Sequence, residues 1–181
     1  MLDAKMTEGI WIGHLFLRPE GAAAASDSDV VTVDLQGHEV DVASLLALRL
    51  LSPLAALPEA QRTGLRVLLA GQSSELLATS CHALGCAAVR HWLQDEITAE
   101  MTFHRVLYGC AGKQPDLSEL SPLIAHLRQE GQLGLFDLPT DSLPQVQSEL
   151  AEHGFSVRAA GTEKHLGFLA GSIENPKQFN A

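Results

Sequence analysis

Apolar positions in this chain follow two rhythms, and the way those rhythms alternate is the first guide to its architecture. The run IWIGHLFLR (10–18) is apolar, β-branched and aromatic, and stops at Pro19, which predicts a strand. GAAAASDSD (21–29) is small and polar and predicts a loop. VVTVDLQ (30–36) then predicts a second strand, closed by Gly37. VASLLALRLLSPLAAL repeats its apolar positions at helical spacing until Pro53 and Pro58 interrupt it.

From Arg66 the alternation becomes regular. RVLLAG (66–71) is an unbroken apolar run, as in strands covered on both faces. SSELLATSCHALG predicts a helix with Ser73 or Ser74 as N-cap and Gly85 as its stop. CAAVRHW (86–92) and FHRVLYGCA (103–111) predict strands, joined by the weakly helical LQDEITAEM. DLSELSPLIAHLRQEG (116–131) reads as a helix opening near Asp116 or Ser118, QLGLFDLP as a strand, and SLPQVQSELAEHG (142–154) as a helix. FSVRAAG (155–161) and HLGFLAG (165–171) read as a closing hairpin, and SIENPKQFNA as a polar, proline-broken, extended tail.

Strands separated by helices imply βαβ units with right-handed crossovers. The expected fold is therefore α/β: a doubly wound, mostly parallel, Rossmann-like sheet with helices on both faces and an antiparallel C-terminal hairpin. The expected organisation is a single domain over 1–171, in which 1–64 extends the sheet at its N-terminal side, with 172–181 as a tail or the start of a linker.

Composition narrows the partners. With 46% hydrophobic and 19% charged residues, 181 residues suffice for one domain with a substantial core. Lys and Arg number 12 against 22 Asp and Glu, a formal charge of −10, which disfavours nucleic acid or an anionic membrane and favours a protein or small-molecule partner. There is no apolar run near membrane-spanning length and no secretory pattern at the start, so a cytoplasmic location is expected. Cys81, Cys86 and Cys110 form no CxxC pair, as expected of free thiols in a reducing compartment.

Element order and three phrases carry a family resemblance: FHRVLYG, HLRQEGQLGLFDLP and EHGF, in that order and followed by a hairpin. In layout they resemble the class I S-adenosylmethionine-dependent methyltransferases over about 66–171. Active members of that family carry an acidic residue and a glycine-rich loop after their first strand, because bare backbone must approach the cofactor. Here the corresponding turn is AGQSSE, with Gly71 alone; the next strand ends in Arg90, His91 and Trp92, and Asp95 and Glu96 come late. A second register makes VVTVDLQGHEVD the first strand and loop, with Asp34 and Gly37. The candidate cofactor contacts are thus Asp34, Gly37, Gly71 and Glu75, with no catalytic residue assigned.

A degenerate domain of similar layout opens the anamorsin family of cytosolic iron–sulfur assembly factors, and GSIENPKQF resembles its tail. That resemblance implies a non-catalytic interaction platform in electron transfer, a diflavin reductase as partner, and iron–sulfur clusters held by a cysteine-rich segment that this sequence does not contain. The alternative is an active methyltransferase with a divergent loop, anchored by Asp34 or Glu75.

Other chemistry is sparse. Cys81, Cys86 and His91 match no usual zinc spacing and are expected to be unmetallated. Cys110 ends its strand at the edge where ligands bind in such sheets, as packing or as a nucleophile. Asp137, at the end of the next strand, could orient a substrate amine or cap the following helix. Trp11 and Trp92 read as core, with an interface role for Trp11 as the other possibility.

Overall fold

The computed structural model describes residues 9–20, 30–72 and 75–179. IWIGHLFLR is not one strand but a hairpin, β1 (Ile10–Ile12) and β2 (Leu15–Arg18), turned at Gly13 with φ +56°. Glycine reaches that left-handed backbone without strain, and the apolar residues flanking it hide the break from a hydrophobicity pattern. β3 (Val31–Asp34) pairs in parallel with β2. These three strands form a sheet of their own rather than joining the main one. The expected loop at 21–29 and the Ser73 or Ser74 cap lie outside the described residues.

α1 (Val42–Ala55) is capped by Asp41, whose carboxylate accepts the Ser44 amide at 2.8 Å. It runs through Pro53 and ends two residues later. A proline in the last turn forfeits one ladder bond and leaves little helix downstream to disrupt. α2 (Glu59–Arg62) is a single turn before β4 (Arg66–Gly71), α3 (Glu75–Ala83) and β5 (Ala88–His91). The connection expected to be weakly helical has no helix: Leu93 has φ +69°, and Asp95 folds back to accept the His91 amide at 2.7 Å.

β6 (Phe103–Gly109) is followed by α4 (Leu117–Ile124), capped by Asp116, and β7 (Leu127–Pro139). The expected helix over 116–131 therefore stops early, and LRQEG belongs to a strand. Leu127 pairs with Phe103 and is buried, so tertiary burial overrides the helical propensity of Arg128, Gln129 and Glu130. α5 (Leu143–Ala151), β8 (Phe155–Glu163) and β9 (Leu166–Ile173) complete the chain as expected. The tail is not simply extended: a 3-10 turn at Pro176–Gln178 returns Phe179 to the core, its ring 4.9 Å from His153.

The main sheet has the order β5-β4-β6-β7-β9-β8. β5, β4, β6 and β7 are parallel, and β9 runs antiparallel to both β7 and β8. This is the expected α/β architecture with its antiparallel C-terminal hairpin. Successive residues of β4 face opposite ways: Val67 and Leu69 join one core, with α1, α3 and the small sheet, while Leu68 and Ala70 join the other, with α4 and α5. Leu46, Leu48, Leu51 and Leu54 of α1 are almost fully buried, each contributing about 2 kcal/mol of hydrophobic stabilisation. Among the described residues no helix is long and apolar enough to cross a membrane.

Candidate functional site

In a doubly wound sheet, ligands bind outside the carboxyl ends of the strands where the chain reverses its direction of winding. Here that point lies between β4 and β6. The chain leaves β4 for α3 on one face and leaves β6 for α4 on the other. A crevice is therefore built into the topology, and the residues at its mouth decide what can enter.

Those residues are glycines pressed against each other's backbone. The β4–β6 pairing persists to Gly71 opposite Gly109, and one further bond joins the Gln72 amide to the Gly109 carbonyl at 3.0 Å. A Cβ placed on Gly109 would lie 1.9 Å from the Gln72 carbonyl oxygen and 2.9 Å from Phe136 Cζ. One placed on Gly71, whose φ is +67°, would lie 2.4 Å from the Gly109 oxygen. Gly109 escapes a reading of the sequence, because a lone glycine at a strand end gives no sign of what it faces.

The other cofactor candidates are dispersed. Asp34 ends β3 in the small sheet, where it forms an ion pair with Arg18. Gly37 (φ +82°) and Gln36 (φ +50°) form the centre of a primed turn closed by the His38 amide donating to Leu35 at 2.8 Å, and a Cβ placed on Gly37 would meet no atom within 4 Å. Glu75 opens α3, its carboxylate 3.5 Å from His38 Nε2. The structure thus brings together Glu75 and the His38 turn, from the two alternative registers, but leaves Asp34 with Arg18. At the end of β5, the late acid Asp95 holds that strand's own backbone.

Next along the carboxyl edge, Cys110 is buried. Loss of solvent, reinforced by Asp137 and Glu119, pushes its thiol pKa far up, the reverse of what a nucleophile needs. Asp137 sits in a register shift between Leu135 and Leu138 with φ +60°. Partial burial, with repulsion from Asp41, raises its pKa, and His165 partly offsets that. It caps no helix: the turn at Thr140–Ser142 and α5 both start without a side-chain cap. Asp41, Asp137 and His165 are therefore neighbours drawn from three distant stretches of chain. In the sequence Asp137 is singled out by its place at a strand end, whereas Asp41, a cap before an apolar helix, and His165 are not. Tyr108 donates to Glu119 at 2.8 Å, and burial followed by that carboxylate pushes its pKa up to about 12.

Cys81 and Cys86 belong to one core and Cys110 to the other. Among the described residues no group of His, Cys, Asp or Glu is arranged to hold a metal ion. Trp92 packs against His126 with ring centroids 5.7 Å apart. Trp11, expected in the core, is 56% exposed on the edge strand β1, its ring tilted against Phe16.

No protein-family model matches the chain, and no curated protein matches it. Solved structures do. A ribosomal protein L11 methylase from Lactobacillus delbrueckii subsp. bulgaricus superposes with a TM-score of 0.67 at 20% identity, covering 92% of this chain and 99% of that one. A protein-(glutamine-N5) methyltransferase from Alicyclobacillus acidocaldarius has a TM-score of 0.44 at 18% identity, covering 71% and 90%. A precorrin-6y C5,15-methyltransferase from Geobacter metallireducens also has a TM-score of 0.44, at 15% identity, covering 64% and 87%. The first of these likenesses shows a methyltransferase-like, Rossmann-like fold; at such identity it shows the fold alone.

Proposed function

We propose that this chain is a non-catalytic domain of methyltransferase-like fold that works as a protein-interaction platform. The observation that carries this reading is the contact between Gly71 and Gly109. Glycines at such a crevice ordinarily leave backbone bare for a ligand. Here each makes room for the other's chain, and the Gln72 amide is spent on the Gly109 carbonyl. Against S-adenosylmethionine stands the strand end that would hold its ribose, where Asp95 is turned back to accept the His91 amide through one carboxylate oxygen. Among the described residues, β4 and β5 alone stand on that side of the reversal, where a nucleotide-binding half has three strands. For the platform role, Ile10 and Trp11 offer exposed apolar surface on an edge strand, a type of surface that partners cover.

Calorimetric titration with S-adenosylmethionine tests the proposal. No saturable heat is expected up to about 1 mM ligand, weaker than about −4 kcal/mol. Micromolar binding would overturn the reading.

Its finer form, taken from the anamorsin resemblance, is a role in cytosolic iron–sulfur assembly with a diflavin reductase as partner. Binding of this chain to such a reductase, lost in Trp11→Ala, is the result that form requires. The alternative of an active methyltransferase draws on the meeting of His38 and Glu75 beside the open Gly37 turn. It requires that Glu75→Gln weaken cofactor binding.

A further inference from the structure

The opposite, amino edge of the main sheet gathers positive charge in a chain whose net charge is −10. Arg66 opens β4, His104 and Arg105 lie near the start of β6, and Arg128 lies near the start of β7. Among the described residues, the ion pairs are Arg18–Asp34, His38–Glu75 and Arg49–Glu163, so none of these three arginines has a carboxylate partner. The Arg66 Nε–H is buried and has no acceptor, while its guanidinium carbon lies 5.6 Å from the Phe103 ring centroid.

His104 makes the arrangement informative. The Arg66 backbone amide, a fixed donor, lies 3.0 Å from Nδ1, and an Arg128 guanidinium nitrogen lies 2.7 Å from Nε2. Arginine has no acceptor, and a neutral imidazole has one lone pair. Whichever ring nitrogen carries the proton, one contact sets donor against donor. With the amide served by Nδ1, the Nε2–H and the Arg128 N–H converge on the same space with no acceptor between them. Burial and the surrounding arginines hold the His104 pKa down, which keeps the ring in this neutral state.

We propose that this edge is a binding site for a phosphate-class oxyanion, either inorganic phosphate or the phosphate of a small phosphomonoester. With the exposed Arg128 side chain swung aside from its 2.7 Å contact, one anionic oxygen accepts from both His104 Nε2–H and the guanidinium, which removes the conflict and supplies the missing countercharge. The planar guanidinium fork suits such an oxyanion. A cavity of about 430 Å³ adjoins Arg128 and is also lined by Thr102, Lys177, Gln178 and one carboxylate, Glu174, leaving room for the body of an ester whose phosphate stays at the Arg128 end. The acidity of the rest of the chain favours a compact anion over a polyanionic strand. This site is independent of the carboxyl edge and stands whether or not that edge binds a cofactor.

The test titrates the whole chain with inorganic phosphate at constant ionic strength, following the His104 imidazole nitrogens by NMR and the melting temperature. A saturable Nε2 shift with a rise in melting temperature is expected. Arg128→Gln, at an exposed position, should weaken binding about tenfold while leaving the circular dichroism unchanged. O-phosphoserine distinguishes the sources: tighter binding than phosphate, weakened by Lys177→Gln, assigns the ester, and binding of phosphate alone assigns the free ion. No saturation by either probe up to about 20 mM, several-fold above the millimolar range of a weak site, overturns the proposal. So does a response that acetate reproduces equally or that Arg128→Gln leaves untouched.

Discussion

Replacing Gly109 by alanine probes whether the crevice mouth is closed by backbone or only narrowed by movable side chains. The added methyl would start 1.9 Å from the Gln72 carbonyl oxygen, and the obstructing atom is main chain, so rotamer change gives no relief. Reaching ordinary contact requires a displacement of roughly 1–1.5 Å. That displacement works against the Gln72–Gly109 bond and the paired ends of β4 and β6. Overpacking plus one weakened hydrogen bond costs about 2–4 kcal/mol. For a chain of this size, that lowers the melting temperature by roughly 5–15 °C. Gly37→Ala is the internal comparison: unlike Gly109 it has a positive φ, but its surroundings are empty, so backbone strain of about 1 kcal/mol is all it carries. Urea and thermal melts of the two variants decide the matter. If Gly109→Ala melts within about 2 °C of the parent, less than the smallest of these costs, the turn after β4 yields easily, and the case for a closed crevice collapses.

Three further outcomes are expected. Phe179→Ala removes a buried ring from the core beneath α4 and should cost about 3 kcal/mol by urea denaturation, which a merely extended tail would not. For Asp137 the folded pKa is raised, so the folded state holds the proton more tightly than the unfolded chain, and stability falls as pH rises from below the ordinary carboxylate range through the folded value. Asp137→Asn should therefore raise the melting temperature more at pH 7 than at pH 3, and an equal change at both would contradict the burial and Asp41 effects. Half-buried Cys86 should react with an aromatic disulfide reagent in the native state, while Cys81 and Cys110 should react only on unfolding, as read by thiol release with and without denaturant.

Much of the fold was legible because local rules and tertiary packing agreed. β4 matched its apolar run to the residue, since a strand covered on both faces has no polar alternation to blur its ends. The C-terminal hairpin was equally plain. Legibility failed where distant partners intervened. The HLRQEG segment has helical propensity, yet Leu127 finds Phe103 and becomes strand. Gly13 turned one apparent strand into two. At the carboxyl edge, Gly71 was visible as a strand end, but its contact with Gly109 links residues far apart in sequence.

The division has a physical basis. Element type follows from spacing, capping and backbone preference, which act over a few residues and are written directly into the chain. Asp41 and Asp116 are caps for that reason. Which groups meet follows from strand order and close packing. Those placed Asp137 beside Asp41 and His165, Glu75 beside His38, and Arg128 against His104, none of which any local pattern encodes. The missing glycine loop could be read from AGQSSE alone. That the remaining glycine lies against another glycine, with main chain filling the space between, is a property of two strands brought side by side.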